Sequence, residues 1–143
     1  MSDRANDSST SRTSFQSLVD ILHHRAVHTP NQLAYQFLVD GQLEGTRLTY
    51  SELDRRAKVI AARLGSQSKR GDRALLMFPP GPDFLPAFFG CLYAGVIAIP
   101  LPAPDSARTK RTLPRLASVV RDAQASIALT TPEVRTALIE HLE

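Results

Sequence analysis

Residues 73–101 read RALLMFPPGPDFLPAFFGCLYAGVIAIPL. The run 73–78 is short and apolar after its arginine, and Pro79, Pro80, Gly81 and Pro82 break it. Residues 84–95 are apolar nearly all round and long enough for a helix. Pro82 suits the first helical position, and Pro86 disturbs only the first turn. Residues 96–101 form a second continuous apolar run. Strands apolar on both faces, joined through a helix, predict a βαβ unit in a parallel sheet covered on both sides.

A second crossover is expected downstream. Residues 102–110 read as a proline-containing loop, and Leu113, Leu116, Val119, Val120 and Ala123 recur at helical spacing. ASIAL at 125–129 reads as a third strand. Thr131-Pro132-Glu133 opens a last helix with proline in its first position.

Upstream, Phe15, Leu18, Val19, Leu22 and Ala26 place a helix over 14–28, with Thr13 and Gln16 spaced as a capping box and Pro30 as its stop. Asp40-Gly41 between extended segments 33–39 and 42–48 predicts a two-residue hairpin, and Gly45 marks a candidate bulge in the return strand. A second helix has fuller punctuation. Thr49 is its N-cap, Glu52 stands at N3, and Leu48 and Leu53 are placed to form the hydrophobic staple. Leu53, Ala57, Ile60, Ala61 and Leu64 form its core stripe, with Gly65 expected at the left-handed C′ position. Arg55, Arg56, Lys58 and Arg63 fall on the other, solvated face. The fold class is α/β: a partial parallel sheet flanked by helices, preceded by a helix and a β-hairpin.

Composition is that of an ordinary globular chain. Of 143 residues, 43% are apolar and 22% charged, and the net charge of +3 does not by itself imply nucleic acid. No apolar run reaches the roughly 18 residues of a membrane span. Residues 1–13 are polar and read as a disordered tail without the apolar stretch of a secretory signal. The single cysteine, Cys91, excludes an internal disulfide and fits a reducing, cytoplasmic setting; its place in an apolar helix makes it a packing residue.

Signals for chemistry are missing. There is no G-x-x-x-x-G-K-[ST] phosphate loop and no G-x-G-x-x-G fingerprint, and the seven glycines do not cluster. His24 and His28 share a helix face four residues apart, but no third ligand stands near them for a metal. Arg108, Lys110, Arg111, Arg115 and Arg121 make a basic run without the interleaved aromatics that stack bases, and read as a solvated helix face. No catalytic, cofactor-binding or metal-binding residue is assigned.

Two segments carry a family resemblance. LTYSEL at 48–53 resembles the first core motif of the acyl-adenylate-forming (AMP-dependent synthetase/ligase) superfamily, and LYAGVIAIPLPAP at 92–104 resembles its second. FPPGPDF at 78–84, AFFGCLYAG at 87–95, IPLPAP at 99–104 and the opening SFQSLVDILHHRAVHTPNQLAYQFL at 14–38 resemble the fatty-acyl-AMP ligase branch. The resemblance covers about residues 14–143. It implies that these residues are the N-terminal part of a truncated AMP-binding (adenylation) domain. The intact enzyme is then expected to use ATP and Mg²⁺ to activate a fatty acid as acyl-adenylate. It passes the acyl group to an acyl carrier protein, as in polyketide or lipopeptide biosynthesis.

The two motifs are structural: one starts a helix, the other stops one at Gly95. The isolated chain is therefore expected to be inactive and to scaffold groups supplied by the remainder of the ligase. Two rivals stay open at this point: the N-terminal segment of an acyl-CoA synthetase, and a non-catalytic α/β interaction module.

Overall fold

The computed structural model describes residues 14–42, 45–104 and 109–140. The expected tail over 1–13, Thr13 as a cap, and Arg108 lie outside the described residues, as do the side chains of Lys110 and Arg111. The elements are α1 (Leu18–His28), β1 (Leu33–Gln36), β2 (Arg47–Thr49), α2 (Tyr50–Gly65), β3 (Arg73–Phe78), α3 (Phe84–Ala94), β4 (Ile97–Pro102), α4 (Thr109–Ala123), β5 (Ile127–Thr130) and α5 (Pro132–Glu140).

The chain's second half is a three-stranded parallel sheet in the order β4-β3-β5. Arg73 pairs with Ile97 and Ala74 with Ile127, so β3 lies at the centre, and Ala74, Leu75, Leu76 and Met77 are all buried. On one face Ala74 and Leu76 pack with Leu64 of α2 and with Ala87 and Cys91 of α3. The other face is less covered than its apolar composition predicts. Ile97, at the start of β4, is half exposed, and Ala128 is exposed on the floor of a cleft between the sheet and α4.

The edge strand β4 carries Pro100 and Pro102. Ile97 donates its N–H to the Asp72 carbonyl on the β3 side (2.8 Å). Backbone groups alternate sides along a strand, so residues 98, 100 and 102 turn theirs away from β3. The two prolines therefore fall where no ladder donor is needed, as expected on an edge.

The N-terminal half is held by local chemistry. Asp40 and Gly41 both have positive φ, 51° and 75°, and Gln42 N–H reaches the Val39 carbonyl at 2.8 Å; this is the expected primed hairpin turn. The β1–β2 register shifts between Leu33 and Tyr35. A second irregularity falls on the return strand, where the sequence places it: Phe37 N–H donates to the Thr46 carbonyl while Val39 bridges to Gln42, so the residues between 42 and 46, Gly45 among them, outnumber those between 37 and 39. A Cβ on Gly45 would fall on the Phe37 carbonyl. The Thr49–Glu52 box is complete, with Glu52 N–H donating to Thr49 Oγ1 (3.3 Å) and Thr49 N–H to Glu52 Oε2 (2.9 Å). Leu48 and Leu53, flanking that cap, are both buried with Leu22 and Phe89.

Three boundaries differ from the sequence reading. α1 starts at Leu18, capped by Ser17, whose hydroxyl accepts from Asp20 N–H (3.1 Å); Phe15 lies before the helix, against the His24 ring. Gly65 closes α2 inside the helix, and the capping residue is Ser66 in the right-handed region. α3 begins at Phe84 after an Asp83 cap, two residues beyond Pro82, which leaves Pro86 in the first turn as expected.

Two glycines show opposite constraints. A Cβ on Gly90 would stand 2.7 Å from Ile60 Cγ2 and 3.1 Å from the Ala57 carbonyl, whereas one on Gly65 would meet nothing within 4 Å. Gly90→Ala is expected to cost about 1–3 kcal/mol by forcing α2 and α3 apart. Gly65→Ala should gain up to about 1 kcal/mol through helix propensity. Urea denaturation of the two variants checks the opposite signs.

Candidate functional site

Ligands in parallel α/β sheets bind beyond the carboxyl ends of the strands. Here β3 ends in Phe78 and runs into Pro79-Pro80-Gly81, while β4 ends in Pro102 before Ala103-Pro104. Between these two turns lies a cleft of about 590 Å³, walled by Phe84 of α3 and Val134 of α5. The Phe84 ring meets Phe78 edge-on at 6.4 Å and stacks on Phe88 at 6.0 Å, so the wall is continuous with the core. Among the described residues, no lining side chain carries charge or a hydrogen-bonding group. Such a surface suits an apolar group and offers a phosphate no cationic side chain.

A larger opening, about 710 Å³, separates the sheet from α4. Leu75, Met77 and Ala128 form its floor and Leu113, Leu116 and Val120 its roof; Arg121 and Ser126 are its polar residues.

The described residues contain one buried charge, Asp54 on α2. It accepts from the Tyr93 hydroxyl of α3 in a very short hydrogen bond and from Lys58 Nζ at 2.7 Å. Lys58 also reaches His23 Nδ1 of α1 (3.2 Å) and lies 5.6 Å from the Tyr93 ring centre. Lys58 thus belongs to a bridge between three helices rather than to the free basic face. Burial first, and then the Asp54 carboxylate, push the Tyr93 hydroxyl well above the usual phenol range and hold it as a donor. Sequence periodicity did not expose this cluster. Its only local signal is the four-residue spacing of Asp54 and Lys58, since Tyr93 comes from another helix.

The remaining candidates are structural in their placement. His24 and His28 stack at 4.0 Å, and His28 Nδ1 donates to the His24 carbonyl (2.8 Å), so one ring nitrogen is already engaged. Among the described residues no set of three His, Cys, Asp or Glu side chains is placed to hold a metal. Cys91 is fully buried, and desolvation raises its thiol to about 11, which keeps it protonated. Arg115 and Arg121 are exposed on α4. No helix among the described residues is long and apolar enough to cross a membrane.

The family model for AMP-binding enzymes matches residues 22–143. The chain belongs to the AMP-binding enzyme family. Within that family it is 50% identical over 120 residues to the medium-chain-fatty-acid–acyl-carrier-protein ligase JamA of Moorena producens, covering 84% of this chain and 20% of that protein. It is 38% identical over 131 residues to a 4-hydroxyphenylalkanoate adenylyltransferase of Mycobacterium tuberculosis, covering 88% of this chain and 21% of that protein. Among solved structures, the fatty acyl-adenylate ligase of L. pneumophila in complex with acyl adenylate and pyrophosphate superposes with a TM-score of 0.78 at 37% identity. That match covers 87% of this chain and 21% of the other. The chain thus spans about a fifth of the length of the relatives it matches. Its place in the AMP-binding family, its parallel sheet and its likeness to fatty acyl-AMP ligases agree with the two motifs at 48–53 and 92–104.

Two outcomes follow from the buried groups. A tyrosine whose folded pKa is raised stabilises the fold below its unfolded pKa, and that contribution is lost as pH rises through the folded value. Wild-type stability is therefore expected to fall at alkaline pH, beyond about 10, more steeply than in Tyr93→Phe, as read from denaturation midpoints across pH. Cys91 should react with a thiol reagent only at the rate of unfolding, and its labelling should accelerate in step with denaturant.

Proposed function

We propose that residues 14–143 form the N-terminal part of the adenylation domain of a fatty-acyl-AMP ligase. The enzyme activates a fatty acid with ATP, releasing pyrophosphate, and transfers the acyl group to the thiol of an acyl carrier protein. The observation that supports this reading most is 50% identity over 120 residues to a ligase of that description. The superposition on a fatty acyl-adenylate ligase supports it independently.

In this reading the chain's own residues build and hold a scaffold. The described residues do not fit ATP or Mg²⁺: the cleft at the strand ends has an apolar lining, and no acidic or histidine set could ligate a cation. Nucleotide, metal and the groups that act on them fall to the remainder of the ligase, so the chain alone is inactive. What it contributes is an apolar wall of Phe78, Phe84 and proline residues at the sheet's carboxyl edge. Such a wall can exclude water from one side of a reacting centre.

The test is a chimera in which this chain replaces the matched fifth of the Moorena producens ligase. Fatty-acid-dependent ATP–pyrophosphate exchange is expected from the chimera and not from the chain alone. A folded chimera with no exchange, or exchange by the isolated chain, would overturn the proposal. Offering coenzyme A and a carrier protein in parallel to the chimera separates the ligase reading from an acyl-CoA synthetase, with acyl transfer to the carrier protein expected.

A further inference from the structure

Helix α1 carries His23, His24, Arg25 and His28, and Asp20 is its one acid. Leu22 alone of the helix is buried, in the cluster with Leu48, Leu53, Ala57 and Phe89. With so little apolar cover, polar contacts carry much of its attachment to α2 and α3. Lys58 Nζ of α2 stands 3.2 Å from His23 Nδ1; an ammonium only donates, so Nδ1 accepts in this contact. A proton on Nδ1 would replace the bond by two cations face to face. Lys58 is not free to turn aside, because Asp54 holds it at 2.7 Å. His28 Nδ1 donates to the His24 carbonyl (2.8 Å), so His28 can take a proton on its other nitrogen and keep that bond. The His24 ring stacks on His28 at 4.0 Å and meets Phe15 edge-on at 5.1 Å. Desolvation, then the His28 charge, then Arg25, hold His24 below the usual imidazole range. Both carboxylates near these rings are already engaged: Asp20 by the Gln16 N–H, and Asp54 by Lys58 and the Tyr93 hydroxyl of α3. The nearby cations are Arg25, over the Tyr50 ring of α2 at 5.9 Å, and Arg70, beside the first turn of α1.

We propose that α1 is an acid-released cover: protonation of His23 and His24 detaches it from α2 and α3 while the parallel sheet stays folded. This goes beyond the ligase reading and does not depend on it. The released helix takes up protons that the docked one resists. Docking is therefore strongest above about pH 6.5 and weakens as pH falls. Each such imidazole makes release up to about tenfold more populated per pH unit below that value. The sheet does not share this dependence, because its core cluster of Leu64, Ala74, Leu76, Ala87, Cys91 and Val96 contains no histidine. Release of α1 uncovers Leu48, Leu53 and Phe89, an apolar surface that Leu22 closes when docked.

Amide hydrogen exchange of the chain at pH 7.5 and at pH 5.5, read as protection factors, tests this. That window, about 7.5 to about 5.5, spans the imidazole range and lies above the ordinary carboxylate range. The amides of residues 22–27 should lose about tenfold or more of their protection at the lower pH, and those of Leu75 and Leu76 less than about twofold. His23→Gln combined with His24→Gln keeps an acceptor for Lys58 and removes both titrating rings. In that double variant α1 protection should change by less than about twofold over the same window. Unchanged α1 protection in the wild type overturns the proposal. So does equal loss in α1 and the sheet, because the molecule would then open as a whole. Wild-type loss in the double variant overturns it too, by assigning the effect to other groups. Should the double variant leave α1 unprotected even at the higher pH, the wild-type histidine signals decide. The NMR titrations of the His23 and His24 rings should follow the pH profile of α1 protection. A profile displaced from theirs by more than about one pH unit overturns the cover.

Discussion

The packing of α3 is the constraint on which the rest of the structure depends. This helix is covered on two sides: Ala87 and Cys91 face the parallel sheet, and Leu85 and Phe89 face α2 and the N-terminal layer. Phe88 touches both clusters. An element buried on two sides must be apolar nearly all round, which is what 84–95 shows. Close approach to α2 is possible only because residue 90 has no side chain, and the single polar tip, Tyr93, is satisfied by Asp54. An unpaired Asp54 at this depth would be costly, so carboxylate, hydroxyl and ammonium form one clamp that fixes α3 on α2. At its far end Gly95, with φ 70°, lets Val96 N–H return to the Cys91 carbonyl and drops the chain into β4.

Features decided by neighbours in the chain were legible in advance. The Thr49–Glu52 box needs only residues three apart, and the Asp40-Gly41 turn only two residues that accept positive φ. Parallel pairing of 73–78 with 96–101 followed from continuous apolar runs separated by a helix. The errors have equally local causes. At the start of α1 the cap is Ser17, whose hydroxyl accepts from Asp20 N–H while the Asp20 carboxylate accepts from Gln16 N–H, a reciprocal pair three to four residues apart. Gly65 was expected beyond the helix, but the turn hydrogen bonds of Gln67 and Ser68 to the Leu64 carbonyl keep the last turn wound through it. What could not be read were contacts between distant residues. Asp54 and Tyr93 are 39 positions apart, and no periodicity reports that they meet.

The candidate site divides along the same line. The apolar strands over 73–78 and 96–101 and the prolines after them were legible, and these prolines line the cleft at the strand ends. The degree of cover over the second sheet face was not visible, since it depends on how closely α4 approaches. Leu75 and Met77 are buried even though they line the cleft between the sheet and α4.

The two prolines of β4 have a consequence for how this molecule can go wrong. Endless stacking of sheets into fibrils requires that each unit present two flanks able to pair. In this three-stranded sheet one flank has lost its donors at residues 100 and 102, while the other is intact. Sheet-to-sheet adhesion through it can join one molecule to one other and then has nowhere to grow, so a mishap at this edge stops at a pair.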